Sequence, residues 1–150
     1  DDGSKADPVV IHRAIFGSLE RFLGVLIEHY GGQFPFWLSP EQFSIIPISE
    51  NHFEYSYKIQ ENLNELNLRG VTDNSSDRFN NKIRKAQINK IPLMIIIGDK
   101  EVESNKFTVR LRDGSNINEI ELKNFKFLSE YTEKINDDKN LSKLLKYGKV

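Results

Sequence analysis

Cysteine is absent from the 150 residues, which excludes a disulfide framework, cysteine-ligated zinc and thiol catalysis within them and favours a reducing compartment. No apolar run approaches the roughly 20 residues that span a bilayer, so no membrane partner is expected. The first residues, DDGSKADP, lack the basic and apolar regions of a signal peptide, so nothing marks the chain for secretion and a cytoplasmic location is the expectation. An excess of charge of either sign is missing too. Lys and Arg number 21 against 22 Asp and Glu, so any contact with nucleic acid must come from a local patch and not from net charge. What is present, 38% hydrophobic and 29% charged residues, suits a globular chain with a real core.

The stretch Ile91 to Gly114, IPLMIIIGDKEVESNKFTVRLRDG, organises the rest. Leu93 to Ile97 carry no charge and are rich in β-branched residues, as in a strand covered on both faces. Gly98 ends it. A polar turn is expected over Asp99 to Asn105. Phe107, Val109 and Leu111 then alternate with Thr108, Arg110 and Arg112, the period of a half-buried strand, and Asp113-Gly114 closes it. Two strands so near in sequence should pair antiparallel. Glu101 and Arg110 are thereby held out toward a partner.

Along the chain, Val9 to Gly17 reads as a strand. Ser18 to Tyr30 reads as an amphipathic helix, with Leu19, Phe22, Leu23, Leu26, Ile27 and Tyr30 on one face, stopped by Gly31-Gly32. Phe34 to Pro40 should run extended, because a residue before proline is driven out of the helical region. A strand at Phe43 to Ile48, cap chemistry at Ser49 to Asn51, a helix through Tyr55, Ile59, Leu63 and Leu66, a short strand at Val71 to Asp73 and a helix over Arg78 to Lys90 follow. Ile117 to Leu122 suggests a further short strand. Phe125, Leu128, Tyr131 and Ile135 suggest a closing helix, broken at Asp137 to Asn140, with a last turn from Leu141 to Tyr147. The expectation is an α/β fold, a small mixed sheet flanked by helices and preceded by one strand and one helix.

Between Arg78 and Lys90 there are basic residues and no acid, and Arg78, Lys82 and Lys85 recur at helical spacing. By default this is a solvated helix face; beside an open sheet it also suits an RNA phosphate track.

The residues PVVIHRAIFGSLERF, Pro8 to Phe22, resemble motif 3 of the class II aminoacyl-tRNA synthetases, and in detail the threonyl-tRNA synthetase family. FPFWLSPEQ at Phe34 to Gln42, KIR at Lys82 to Arg84 and GDKEVES at Gly98 to Ser104 are similar, in the same order, to that family's anticodon-binding half. The resemblance covers essentially the whole chain. It implies that residues 1–38 are the end of a class II catalytic domain, without its motifs 1 and 2, and that residues 39–150 are an anticodon-binding domain.

The same resemblance implies residue roles. Arg21 would stack on the adenine of ATP near its phosphates, a task suited to a planar permanent charge, with Ser18 and Ala14 lining the substrate pocket. His12 would be one of three zinc ligands receiving threonine; the other two are not in this sequence, so a fragment without bound ATP, Mg²⁺ or Zn²⁺, and without catalysis, is expected. Without that setting, His12 would pass for a core histidine and Arg21 for a surface charge. Glu101 and Arg110 would read the middle and third anticodon bases of tRNA(Thr), where spacing alone suggests only a surface salt bridge. Ser76 stands where the family commonly has a base-contacting asparagine, and Arg78, Lys82 and Lys85 would follow the tRNA backbone. The parent would be a homodimeric threonine–tRNA ligase using ATP and threonine, and the fragment a monomer. The alternatives are the prolyl, histidyl or glycyl enzymes, which the His-Arg-Ala sequence at His12 argues against, or a non-catalytic RNA-binding module. His29 and His52 match nothing functional.

Overall fold

A computed structural model describes residues 3, 5, 8–130, 141, 143, 145 and 146. The chain forms two compact units, Asp1–Gly32 and Gln33–Val150.

In the first unit, helix α1 spans Leu19–Tyr30. It begins where expected because the Ser18 hydroxyl accepts the backbone N–H of Arg21 at 3.2 Å, satisfying one of the orphan donors of a helix start. It ends on Gly31 in the left-handed region (φ 56°), from which the next N–H groups reach back to Glu28 and Ile27. Phe16 stacks on Phe22 at 4.7 Å. The strand expected at Val9 to Gly17 is not formed: the segment is irregular, with Val9 91% and Ile11 86% exposed. Apolar alternation makes a strand only when a neighbour takes up its backbone hydrogen bonds, and among the described residues of this unit there is no other strand.

The second unit starts at Gln33 because its first residues are bound into it. Phe36 is buried within a 3₁₀ turn, Phe36–Leu38, where an extended run was expected. Gln42 donates to the Phe36 carbonyl at 3.0 Å and accepts the N–H of Arg69 at 3.0 Å. The Arg69 guanidinium donates to the carbonyls of Trp37 and Ser39, both at 2.9 Å. Two prolines therefore bend a segment that a buried amide and an arginine fork hold down.

A mixed five-stranded sheet follows. Its strands are β1 (Phe43–Pro47), β2 (Gly70–Thr72), β3 (Leu93–Ile97), β4 (Lys106–Leu111) and β5 (Asn116–Glu121), in the spatial order β2-β1-β3-β4-β5. β1 pairs parallel with β2 and β3; β4 pairs antiparallel with β3 and β5, as the short β3–β4 connection requires. Helices α2 (Phe53–Glu65) and α3 (Phe79–Ile88) cross between the parallel strands, and α5 (Leu122–Glu130) closes the fold. Residues 131–140, where the break at Asp137 to Asn140 was expected, lie outside the described residues.

The period of two divides each strand between two cores. Phe43, Ile45, Leu93, Ile95, Ile97, Phe107, Val109 and Leu111 face α2 and α5, packing on Ile59, Leu63, Phe125 and Leu128. On the other face Ile46 and Met94 meet Ala86, with Phe79 and Ile83 of α3 beside them. The first face is fully covered. The second is covered by α3 over β1 and β3, while Thr108 and Arg110 of β4 are only half-buried.

At the sheet edge, Gly70 lies against β1: a Cβ there would sit 2.2 Å from the Phe43 carbonyl oxygen and 2.6 Å from its ring. Both obstacles are fixed, so Gly70→Ala is expected to cost about 1–3 kcal/mol, measured as a lower urea midpoint; an unchanged midpoint would refute this close approach.

Candidate nucleic-acid interface

Parallel strands put the ends of β1, β2 and β3 on one edge of the sheet, so the turns after them gather there. They are Ser49–His52, the loop 73–78 and helix α4 (Asp99–Ser104). β4, running the other way, starts at this edge. Glu101, Thr108, the loop carrying Ser76 and the start of α3 with Arg78 thus share one end of the molecule, although they are far apart in sequence.

The expected turn at Asp99 to Asn105 is the helix α4. Six residues are too few to hold a helix in water, and the surroundings supply what is missing. The N–H of Gly98 donates to Glu101 Oε2 at 3.1 Å, a capping contact at the helix start. His52 is buried and fixes the same end: its Nδ1 accepts the N–H of Ser49 at 3.3 Å, and its Nε2 donates to Asp99 Oδ1 at 3.0 Å. At the other end Asn105, left-handed at φ 52°, accepts the Tyr55 hydroxyl at 2.7 Å. Burial raises the pKa of that hydroxyl. His52 and Tyr55 are thus the residues that place Glu101. The sequence signal for His52 was its position three residues after a capping serine; nothing local marks its distant partner.

The Glu101 carboxylate takes a second bond, from the Thr108 hydroxyl to Oε1 at 2.9 Å. Thr108 and Arg110 are two residues apart on β4 and share a face, about 7 Å apart along the strand. Arg110 donates from Nη1 to Asn116 Oδ1 at 3.2 Å, across the β4–β5 ladder, and its Nε is buried without a partner. Glu101 and Arg110 therefore lie on one open half-face, each bonded to its own neighbour and not to the other. Opposite Thr108, β5 carries a bulge, with Glu119 left-handed at φ 59°, which increases the local twist beside the open half-face.

Among the expected backbone contacts the structure separates three cases. Arg78 is exposed at the start of α3. Lys85 is exposed and paired with Asp77; each shifts the other, the lysine upward and the carboxyl downward, through their hydrogen bond first and their charges second. Lys82 departs from the expected basic face. It is buried, donating to the Asp73 carbonyl at 3.0 Å and lying 5.4 Å over the Phe53 ring. Its stem packs under α3 and its ammonium joins the turns after β1 and β2, so its charge serves the fold. Ser76 is exposed in a loop shaped by bonds from Ser75 to Asp73 and Asp77. A groove of about 290 Å³ runs beside that loop, with Asp73, Asn74, Lys85 and Asn89 in its wall.

In the first unit, His12, Ala14, Ser18 and Arg21 are all exposed, and the Ser18 oxygen is engaged as the helix cap. Zinc needs three or four protein ligands. Among the described residues no three histidines or carboxylates are grouped to hold a metal. No described helix is long and apolar enough to cross a membrane.

The family model for the anticodon binding domain matches residues 42–128. The chain belongs to that family. It is also similar to the threonine–tRNA ligase of Caldanaerobacter subterraneus, 45% identical over 135 residues, and to that of Deinococcus radiodurans, 49% identical over 119 residues. These alignments cover 89% and 79% of this chain but 21% and 18% of the relatives, so the chain spans about a fifth of their length. The crystal structure of the RNA-binding domain of threonyl-tRNA synthetase from Cryptosporidium parvum superposes with a TM-score of 0.71 at 33% identity, over 81% of this chain and 30% of that one. The matched residues include β1 through most of α5, hence both Glu101 and Arg110.

Two expectations follow. Lys82→Met removes a buried hydrogen bond and a cation–π contact, and should lower unfolding free energy by about 1–3 kcal/mol, read by chemical denaturation. An unchanged midpoint would return Lys82 to the surface. Acidification acts through Asp77 and Asp113: Lys85 holds the first below the usual carboxylate range, and bonds from Ser115, with smaller help from Arg110 and Arg112, hold the second there. A carboxyl depressed in the folded state stabilises it above the ordinary value, about 3.9, and that contribution is lost as pH falls through the lower folded value. Thermal midpoints should therefore drop below about pH 4, and slightly less steeply in Asp77→Asn, because exposed pairs contribute little.

Proposed function

We propose that this domain binds the anticodon loop of tRNA(Thr) for a threonine–tRNA ligase, with Glu101 reading the middle base and Arg110 the third. The observation that carries the reading is the open half-face of β4, where the carboxylate of Glu101, brought from α4 onto Thr108, and the guanidinium of Arg110 stand without neutralising each other. An anticodon loop presents unstacked bases whose Watson–Crick edges are accessible. A carboxylate accepts from guanine N1–H and the N2 amino group, and a guanidinium donates to carbonyl oxygens. Ser76 lies in the loop at the same edge and is assigned to the third base as well. Arg78 and Lys85, with the exposed Arg84 of α3, serve the phosphates.

In the longer protein, residues 1–38 would complete a catalytic domain in which threonine is activated with ATP and passed to the tRNA. Arg21 would neutralise phosphate charge, with Ser18 and Ala14 beside the substrate and His12 joining ligands from elsewhere in that protein on Zn²⁺. Mg²⁺ would accompany ATP. The parent is read as a cytoplasmic homodimer, and this fragment as a monomer.

The test is a titration with a threonine-isoacceptor anticodon stem-loop and with the same stem-loop altered at the middle base. The unaltered loop should bind at least about tenfold more tightly, the discrimination expected of charge-assisted hydrogen bonds to a base; equal binding overturns the reading. Glu101→Gln and Arg110→Ala should shrink the preference at their own bases. Arg78→Ala and Arg84→Ala should weaken both loops alike and reduce the dependence of log affinity on log salt by up to about one unit each.

A further inference from the structure

Neither reading side chain holds its own position. We propose that Thr108 and Asn116 are the positioning residues of this site, Thr108 setting the plane of the Glu101 carboxylate for a guanine edge and Asn116 setting the Arg110 fork for a neighbouring base. The inference rests on the anticodon reading above and deepens it.

A carboxylate has about four acceptor positions, two on each oxygen. In Glu101 one on Oε2 is taken by the Gly98 N–H at 3.1 Å and one on Oε1 by the Thr108 hydroxyl at 2.9 Å. A helix cap alone needs a single oxygen. The second bond removes the remaining freedom of the carboxylate to rotate and leaves one acceptor position on each oxygen. Such a pair accepts two adjacent N–H donors at once, as on the Watson–Crick edge of guanine. Adenine offers an acceptor at N1 and no amino group at C2, and would leave the fork unmatched.

Arg110 is treated in the same way. Asn116 is its cross-strand partner, and its Oδ1 takes one Nη1 hydrogen at 3.2 Å. Since the guanidinium is planar, one bond restricts the whole fork. The Nη2 group lies over the β4–β5 turn, 3.5 Å from where a Cβ on Gly114 would stand. The hydrogens not used by Asn116 remain for the acceptors of a base. Two residues of strand, about 7 Å, separate the Thr108 and Arg110 anchors, so the two heads address two bases.

The experiment compares four stem-loops, with guanine or adenine at the middle anticodon position and uracil or cytosine at the third, bound to the whole 150-residue chain and to its variants. Thr108→Val keeps the shape and removes the donor; it should cut the guanine-to-adenine affinity ratio by about threefold to tenfold, the scale of one lost hydrogen bond, with adenine-loop binding and the thermal midpoint nearly unchanged. Thr108→Ser should restore the ratio. Asn116→Ala should cut only the uracil-to-cytosine ratio. If the wild-type chain discriminates and Thr108→Val discriminates equally well, the positioning role is wrong while the reading stands. If Thr108→Val lowers the midpoint and weakens every loop alike, the threonine is only structural and the inference falls. If the wild-type chain does not distinguish guanine from adenine, the reading itself fails.

Discussion

A helix of six residues has no stability of its own, and the site depends on this one. α4 persists because His52 holds its first residue, Tyr55 holds Asn105 just past its end and Gly98 closes its start on Glu101. The anchors come from the turn and helix that follow β1. Parallel pairing of β1 with β3 brings those ends together, so the position of one carboxylate is a consequence of sheet topology. The same contact explains why a buried histidine is found on an edge otherwise devoted to polar groups: it links two turns.

The second condition is incomplete coverage. α3 is ten residues long and shields β1 and β3 through Phe79, Ile83 and Ala86. Beyond it, β4 alternates three buried side chains, Phe107, Val109 and Leu111, with Thr108 and Arg110 on the side left open. A fully packed face behind a polar half-face would suit the proposed base reading, because the side chains of β4 start from a backbone paired on both sides. In that reading, discrimination between bases would be a matter of which hydrogen bonds the fixed groups can make, and affinity a matter of surface charge elsewhere.

The alternation in β4, the uncharged run of β3, the amphipathic period from Ser18 to Tyr30 and the motif around Glu101 were all legible in the sequence, because each is a local pattern with a period or a fixed spacing. Two readings failed for a shared reason. Val9 to Gly17 has the composition of a strand but no partner in its unit, and Lys82 has the spacing of an exposed face but is drawn beneath α3 by Asp73 and Phe53. A period says which residues share a face; it does not say what that face meets. The boundary between units was hidden similarly, since Gln42 and Arg69 bind residues 36–39 from positions that no local signal connects.

By itself the sequence determined the kind of domain and most of the order of its strands and helices, since these follow from local periodicity and from motifs, and the resemblance named Glu101 and Arg110 as the residues proposed to address RNA bases. Only the tertiary structure decided how those residues are held. His52 and Asp99 are 47 positions apart, and Tyr55 and Asn105 are 50 apart, and hydrogen bonds over such separations exist only once the sheet has assembled. The physical reason is one of range: side-chain pattern is written residue by residue, whereas the burial of a charge or the clamping of a carboxylate depends on which distant backbone comes to lie within about 3 Å.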